Sequence, residues 1–560
     1  MTIYLVSDIK SEDALLLLVY LYHRYNNKLH KERRNGMTES TNDGVRKKGV
    51  SKGMIAIIVA LVLVIGGSVA AFVLLNLSDK QKYFLVEKNT LDFVVEEVEN
   101  RYQPELEWVE QTEENPTQST MELSAEYNDP AAVGTGTFDP SQFINNSTVT
   151  LTSEADMEAK KMSAKLKANI GGVEIDNFNV YITAEKLLVG LPFIEELLQI
   201  KDEDLGSLLH EMDPATFTGE ESLNLDSLFE SAKNAEDLEY LKEEYGKMIY
   251  EEIPEEAFET TEETVKVQSE SLKSEKIKFH LTEDQLKTLI TKVLDKMKDD
   301  EKLKKIIEEQ IALQQLGTPA TQDINQMMKD FETGIKEAKA SLKDFQIPEG
   351  LTSIIWVNDD KVVQRDLKLE MGPSKDELVA FTVKGSQLLK SETQTFNYDL
   401  GFSDNFSEGN MNLSGELSWK DQKAKDSINL SIEDMALAYD GSETLKDGKR
   451  DFTRKFSYED ASGTGGSLIW DGEANYEKDQ MKAEHDFSLE APGLSQDMFG
   501  LHIVTEGKTI EKVEIPSDED VKDLGGMSAD EIMNYMETDV TPKFQQWIFG
   551  ILAGSGNLGF

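Results

Sequence analysis

The chain has no cysteine in 560 residues. This excludes disulfides, thiolate metal sites and a cysteine nucleophile. Histidine is nearly as scarce, with His23, His30, His210, His280, His485 and His502. None of them stands in a His-x-x-Glu-His or His-Glu-x-x-His spacing. No Gly-x-Ser-x-Gly elbow or Walker sequence is present. Gly554 to Gly559 matches Gly-x-Gly-x-x-Gly literally, but the nucleotide fingerprint needs a helix after it and the sequence stops at Phe560. Basic residues are few: 58 Lys and Arg stand against 106 Asp and Glu, a net charge of −48. Among so many carboxylates the proximity of any two is uninformative, so no glycosidase-type pair is nominated. Asp518-Glu519-Asp520 with Asp523 departs from the EF-hand spacing and reads as a solvated acidic run. Catalytic, cofactor-binding and metal-ligating residues are therefore each read as none, no cofactor is expected, and the protein is read as a non-enzyme.

What the chain does have is one long apolar run. Met54 to Leu75, MIAIIVALVLVIGGSVAAFVLL, carries no charge and is long enough to cross about 30 Å of hydrocarbon as a helix. Met54, Ile58, Leu61, Ile65, Val69, Phe72 and Leu75 are its expected anchor residues. Arg46, Lys47, Lys48 and Lys52 precede it and set the orientation, with the N-terminus cytoplasmic and the body outside the cell. A buried core helix is the bland alternative. A cleaved signal peptide is another, although the run exceeds the usual apolar region of such peptides.

Upstream, Lys31-Glu32-Arg33-Arg34-Asn35-Gly36 precedes Met37. If both arginines are AGG codons, the gene carries a bacterial ribosome-binding sequence there and translation starts at Met37. CGN codons would remove that argument; the alternative is that residues 1–36 are a genuine cytoplasmic tail. From Met37 the segment before the span is too short for a cytoplasmic domain of its own, and even 53 residues would be marginal.

Residues 1–53 hold 10 basic and 6 acidic side chains, so the remainder carries 48 against 100, a net of −52. A body of that charge repels nucleic acid and anionic lipid. Hydrophobic residues make up 39% of the chain, enough to bury a core.

Periodicity divides the body. Residues 1–53 are the basic tail, 54–76 the transmembrane helix and 77–112 a helical stalk. Residues 113–349 are mixed β and helical, 350–520 antiparallel β, and 521–560 C-terminal helices. The stalk helix runs from Asp79 to about Tyr102 and Pro104 ends it. Gly171-Gly172 joins two alternating runs as a hairpin, and Tyr181 to Pro192 reads as another. Phe193–His210 and Leu225–Tyr250 read as helices, with a strand pair near Val265 and Ile277–Leu281. Thr282-x-x-Gln285 and Ser528-x-x-Glu531 are capping boxes. Thr541-Pro542 opens a last, apolar helix, read as closing the core, with contact to a membrane surface as the alternative.

From Leu351 to about Ile515 the strands alternate cleanly, one face apolar and the other charged. His485 falls in phase with the apolar face and reads as a core histidine. The dry face must meet helices, a second sheet or a ligand.

The span and Leu77–Phe93 resemble those of functionally uncharacterised exported proteins of Bacillus-like Firmicutes, which are anchored by a single pass through the membrane. That resemblance implies location. The hairpins at Tyr181–Pro192 and Ile354–Met371 look like those of the bacterial lipoprotein-carrier class, whose curved sheet holds lipid against a helical cover. That resemblance implies an apolar ligand.

The expected fold is α+β, with large antiparallel sheets and a helical block, preceded by one transmembrane helix. The expected function is a membrane-tethered, extracytoplasmic binding or scaffold protein of a Gram-positive cell envelope, with an apolar ligand between sheet and helices. A structural or assembly protein without a small ligand is the alternative, and an envelope hydrolase the third. Its expected partners are the lipid bilayer through the span, and an apolar ligand or an envelope protein, with nucleic acid excluded.

Overall fold

A computed structural model describes residues 77–128, 140–219, 221–229, 233–314, 324–405, 407–517 and 521–554. The expected span and its basic flank lie outside the described residues, as do residues 518–520 and 555–560.

The described residues contain twenty strands. In chain order they begin with β1 (Thr117–Tyr127), β2 (Thr148–Asp156), β3 (Lys161–Ile170), β4 (Val173–Thr183), β5 (Lys186–Gly190) and β6 (Leu197–Lys201). Then come β7 (Phe258–Val267), β8 (Glu270–Leu281), β9 (Leu351–Asn358), β10 (Lys361–Met371), β11 (Val379–Lys390), β12 (Thr393–Ser403) and β13 (Glu408–Lys420). The last are β14 (Lys423–Ile432), β15 (Met435–Lys446), β16 (Lys449–Glu459), β17 (Gly465–Tyr476), β18 (Gln480–Glu490), β19 (Phe499–Thr509) and β20 (Val521–Asp523). Five helices matter here: α1 (Asp79–Arg101), α2 (Gln103–Glu114), α3 (Glu283–Asp299), α4 (Ala529–Tyr535) and α5 (Thr541–Gly554).

The chain forms two compact units. The first contains residues 77–100, 237–304 and 328–414. Its strands pair antiparallel in the order β7-β8-β9-β10-β11-β12. Thr282 caps α3 through a reciprocal capping box with Gln285, which satisfies the free N–H groups of its first turn. Leu286, Leu289, Ile290, Val293 and Leu294 of α3 are buried. Helix α1 inserts Tyr83 and Phe84 against Phe258, Phe279 and Tyr250, with Phe258 and Phe279 stacked at 4.7 Å. The Tyr83 hydroxyl donates to Ser353 Oγ at 2.8 Å. Lys80 is buried beside them, donating to the Ile253 carbonyl at 2.6 Å over the Tyr250 ring. Burial holds its pKa below the ordinary lysine value, against the opposing pull of Glu255 and Glu251.

The second unit contains residues 101–236, 305–327 and 415–560. Its strands run β14-β15-β16-β17-β18-β19 antiparallel. Strand β19 then pairs with β1, and the order continues β1-β2-β3-β4-β5-β6. Strand β20 joins β6 in parallel. Pro104 lies in the first turn of α2, where its missing N–H costs nothing.

These findings correct the expected α+β fold, because antiparallel sheet dominates the described residues; the expected transmembrane helix, residues 54–76, lies outside them. Strands on both sides of residue 350 share one sheet, because β1 finds its partner in β19. Among the described residues no helix is long and apolar enough to cross a membrane. Phe193–His210 is also not one helix. Leu197–Lys201 pairs with β5 as a strand before a helix begins at Asp202, so sheet pairing overrides the local helical spacing.

Candidate functional site

The apolar face of β14–β19 has two halves that differ in what covers them. Residues two apart along a strand share a face, and the pairing register lines up the rows. Asp426, Gly441, Arg454, Trp470, Phe487 and Leu501 form one row. Ile428, Tyr439, Phe456, Leu468 and Leu489 form the next.

Helix α2 and the end of α1 cover the first half. Arg101 donates from Nε to Glu443 at 2.6 Å and from NH2 to Asp426 at 2.7 Å. Arg450, only 2% exposed, donates from Nε to Glu105 at 2.6 Å and from NH1 to Glu443 at 2.8 Å. The rings of Tyr102 and Trp419 lie over both guanidinium groups. Burial pushes the Glu443 carboxyl up, but hydrogen bonding from Arg101 and the charges of Arg101, Arg450 and Arg454 outweigh it and hold it below the usual range. Farther along α2, Trp108 lies over Gly507, where a Cβ would come within 2.7 Å of the indole.

At the border stand Arg454 and His485. The Arg454 guanidinium lies 4.3 Å from the Phe452 ring centre and 4.6 Å from that of Trp470. Its carboxylate contact, NH2 to Glu443, is 3.6 Å, beyond ordinary hydrogen-bond length. His485 is buried and accepts from Trp470 Nε1 at 3.2 Å. Burial, then the Arg454 charge, pushes its pKa down to about 4.

Among the described residues nothing covers the second half. Phe456 is 41% exposed and Tyr458 44%, and Leu437, Leu468 and Leu489 are exposed with them. Tyr439 packs on Phe456 at 5.1 Å, and Trp470 stacks on Phe487 at 5.4 Å. Five large exposed apolar side chains on neighbouring strands form a patch, which isolated exposed residues do not.

The anchor residues Met54, Ile58, Leu61, Ile65, Val69, Phe72 and Leu75, and the basic residues Arg46, Lys47, Lys48 and Lys52, lie outside the described residues. Among the described residues no group of three or more His, Asp and Glu side chains is placed to hold a metal ion. The aromatic alternation was visible in the sequence. Which half of the face stays open was not, because that depends on where α2 lands.

The fold and this face define a class: an antiparallel β protein with a half-covered apolar sheet face. No protein-family profile matches the chain, and no curated protein matches it. Solved structures similar to it include OccK11 (OpdR) of Pseudomonas aeruginosa, 5% identical over 70% of this chain and 94% of that one, with a TM-score of 0.22. Another is a BenF-like porin of Pseudomonas fluorescens, at 6% identity, 71% and 98% coverage and a TM-score of 0.23. A third is a loop-deletion variant of OmpT, an outer membrane protein of Vibrio cholerae, at 8% identity, 70% and 97% coverage and a TM-score of 0.16. Matches at this level assign no function to the chain.

The expectation of a single-pass, membrane-tethered, extracellular binding or scaffold protein of a Gram-positive envelope is withdrawn: the span and basic flank that carried it lie outside the described residues. The described residues contain no membrane-crossing helix. Among the described residues, the space under α2 is taken by Arg450, Glu443 and Trp108 and that under α1 by Tyr83 and Phe84, all buried.

Proposed function

We propose that the protein works without catalysis, by taking up an apolar ligand on the uncovered half of the β14–β19 face. The observation that carries this reading is the run of exposed Leu437, Phe456, Tyr458, Leu468 and Leu489 beside a half of the same face that is sealed. Leaving such side chains in water forfeits about 25 cal/mol per Å² of burial, and a bound apolar molecule recovers it. The reading assigns no compartment and no anchor, and it places the ligand on open sheet rather than beneath a helix. The non-catalytic part is supported by the state of the buried charges: Glu443, Arg101 and Arg450 are occupied with one another, and His485 is neutral over most of the pH range.

The test is saturable binding of a neutral solvatochromic dye, Nile red, to the full chain. Wild type should bind it, and Leu468→Asp with Phe456→Ser should lower the affinity about tenfold or more with little change in thermal midpoint. Equal binding by wild type and the double variant would overturn the reading.

A further inference from the structure

The border of the open half holds two donors side by side, Arg454 and the Tyr439 hydroxyl; Arg454 pairs with Glu443 only at 3.6 Å. Gly441 faces Arg454 across β15 and β16. A Cβ on Gly441 would lie 2.4 Å from the Tyr439 hydroxyl, so that hydroxyl folds over Gly441, next to Arg454. Among the described residues neither Arg454 nor the Tyr439 hydroxyl has a hydrogen-bond acceptor. Arg454 is 14% exposed at its side chain. Its neighbours Arg101 and Arg450 have taken up Glu443 Oε1.

Resting on the reading above, we propose that the ligand of this face is an anionic amphiphile. Its acidic head, a carboxylate or a phosphate monoester, docks on Arg454 and the Tyr439 hydroxyl. Its hydrocarbon chain lies across Phe456, Leu468 and Leu489. Local charge complementarity at Arg454 selects this occupant, against the repulsion that the body's overall charge exerts on anionic lipid. In a protein of net charge −48, this guanidinium borders an apolar patch, is held rigid between two rings and lacks a carboxylate within hydrogen-bond distance. Arginine in such a setting binds planar or tetrahedral oxyanions through paired N–H donors. Directly beyond it, the face is hydrocarbon and aromatic.

Dodecanoate, dodecyl phosphate and dodecanol, each below its aggregation limit, are titrated calorimetrically into the full chain. At least one anion should bind about tenfold or more tightly than the alcohol, the scale of a charge-assisted hydrogen-bond pair. The tighter of the two anions identifies the head. Arg454→Gln should abolish that preference while leaving dodecanol affinity unchanged. Tyr439→Phe, which keeps the ring and its packing, should reduce the preference by about twofold to fivefold, so the inference stays testable even if Arg454→Gln unfolds. If dodecanol binds as tightly as both anions, or the preference survives in both variants, the inference falls while the apolar-ligand reading stands. If none of the three binds and Nile red fails as well, the reading itself falls.

Discussion

The two units solve the same problem with different chemistry. Each lays a helix on a sheet face of alternating apolar residues. In the first, α1 contributes Tyr83 and Phe84 to a cluster with Phe258 and Phe279. In the second, the end of α1 and the start of α2 contribute Arg101 and Glu105 to an ionic cluster with Asp426, Glu443 and Arg450. An aromatic core tolerates changes that keep hydrophobic volume. A buried ionic cluster does not tolerate the loss of one partner, because the charge left behind is unpaired and out of water. The second unit therefore depends more on the identity of single side chains, and it is also the unit that leaves half its face open.

Substitutions of similar size put that contrast to the test. Glu443→Gln keeps the shape and removes the charge, stranding Arg101 and Arg450. A loss of about 3–5 kcal/mol in denaturant unfolding is expected, and a loss below about 1 kcal/mol would show that the cluster is solvated in practice. Phe279→Leu, at a fully buried ring, should cost only about 1–2 kcal/mol. A larger loss there than at Glu443 would reverse the comparison.

His485 gives a smaller, pH-dependent effect. Its folded pKa is pushed down to about 4, while the unfolded side chain titrates near 6.5. The unfolded state therefore takes up a proton that the folded state refuses, and stability is lost as pH falls from about 6.5 to 4. In His485→Asn the drop in thermal midpoint between pH 7 and pH 5 should be smaller than in wild type. An identical drop would show that His485 is protonated without cost. Smallest of all is Phe456→Ser on the open half, expected to change stability by no more than about 0.5 kcal/mol. A large loss would mean that the ring is structural.

Local features were legible in the sequence because local chemistry decides them. Thr282 with Gln285, and Ser528 with Glu531, form the capping boxes their spacing implies. Gly171-Gly172 turns β3 into β4, with both residues at positive φ. Ile354–Met371 is a hairpin through Asp359 and Asp360. The phase of His485 placed it correctly on the buried face. Long-range features were not legible. Nothing in TMELSAEY announces that its partner is FGLHIVTE, since antiparallel pairing asks only for alternation. The ionic cluster was invisible for the same reason, because Arg101, Asp426, Glu443 and Arg450 are dispersed along the chain. The C-terminal helix illustrates a mixed outcome: Trp547 of α5 packs on Phe178 and Phe193, yet Phe549 is 67% exposed.

The pairing of β1 with β19 has a consequence in time. Thr117 meets Thr509 about 390 positions later. At roughly 5–20 residues per second of synthesis, the outer edge of β1 waits on the order of 20–80 s for its neighbour. Residues 237–304 and 328–414 emerge in that interval and complete their own unit first. A growing chain thus carries one finished unit and one unfinished edge, whose free N–H and C=O groups invite wrong partners. Ribosome-bound chains halted before residue 480 should be cut by protease within residues 117–127 at sites the finished protein protects.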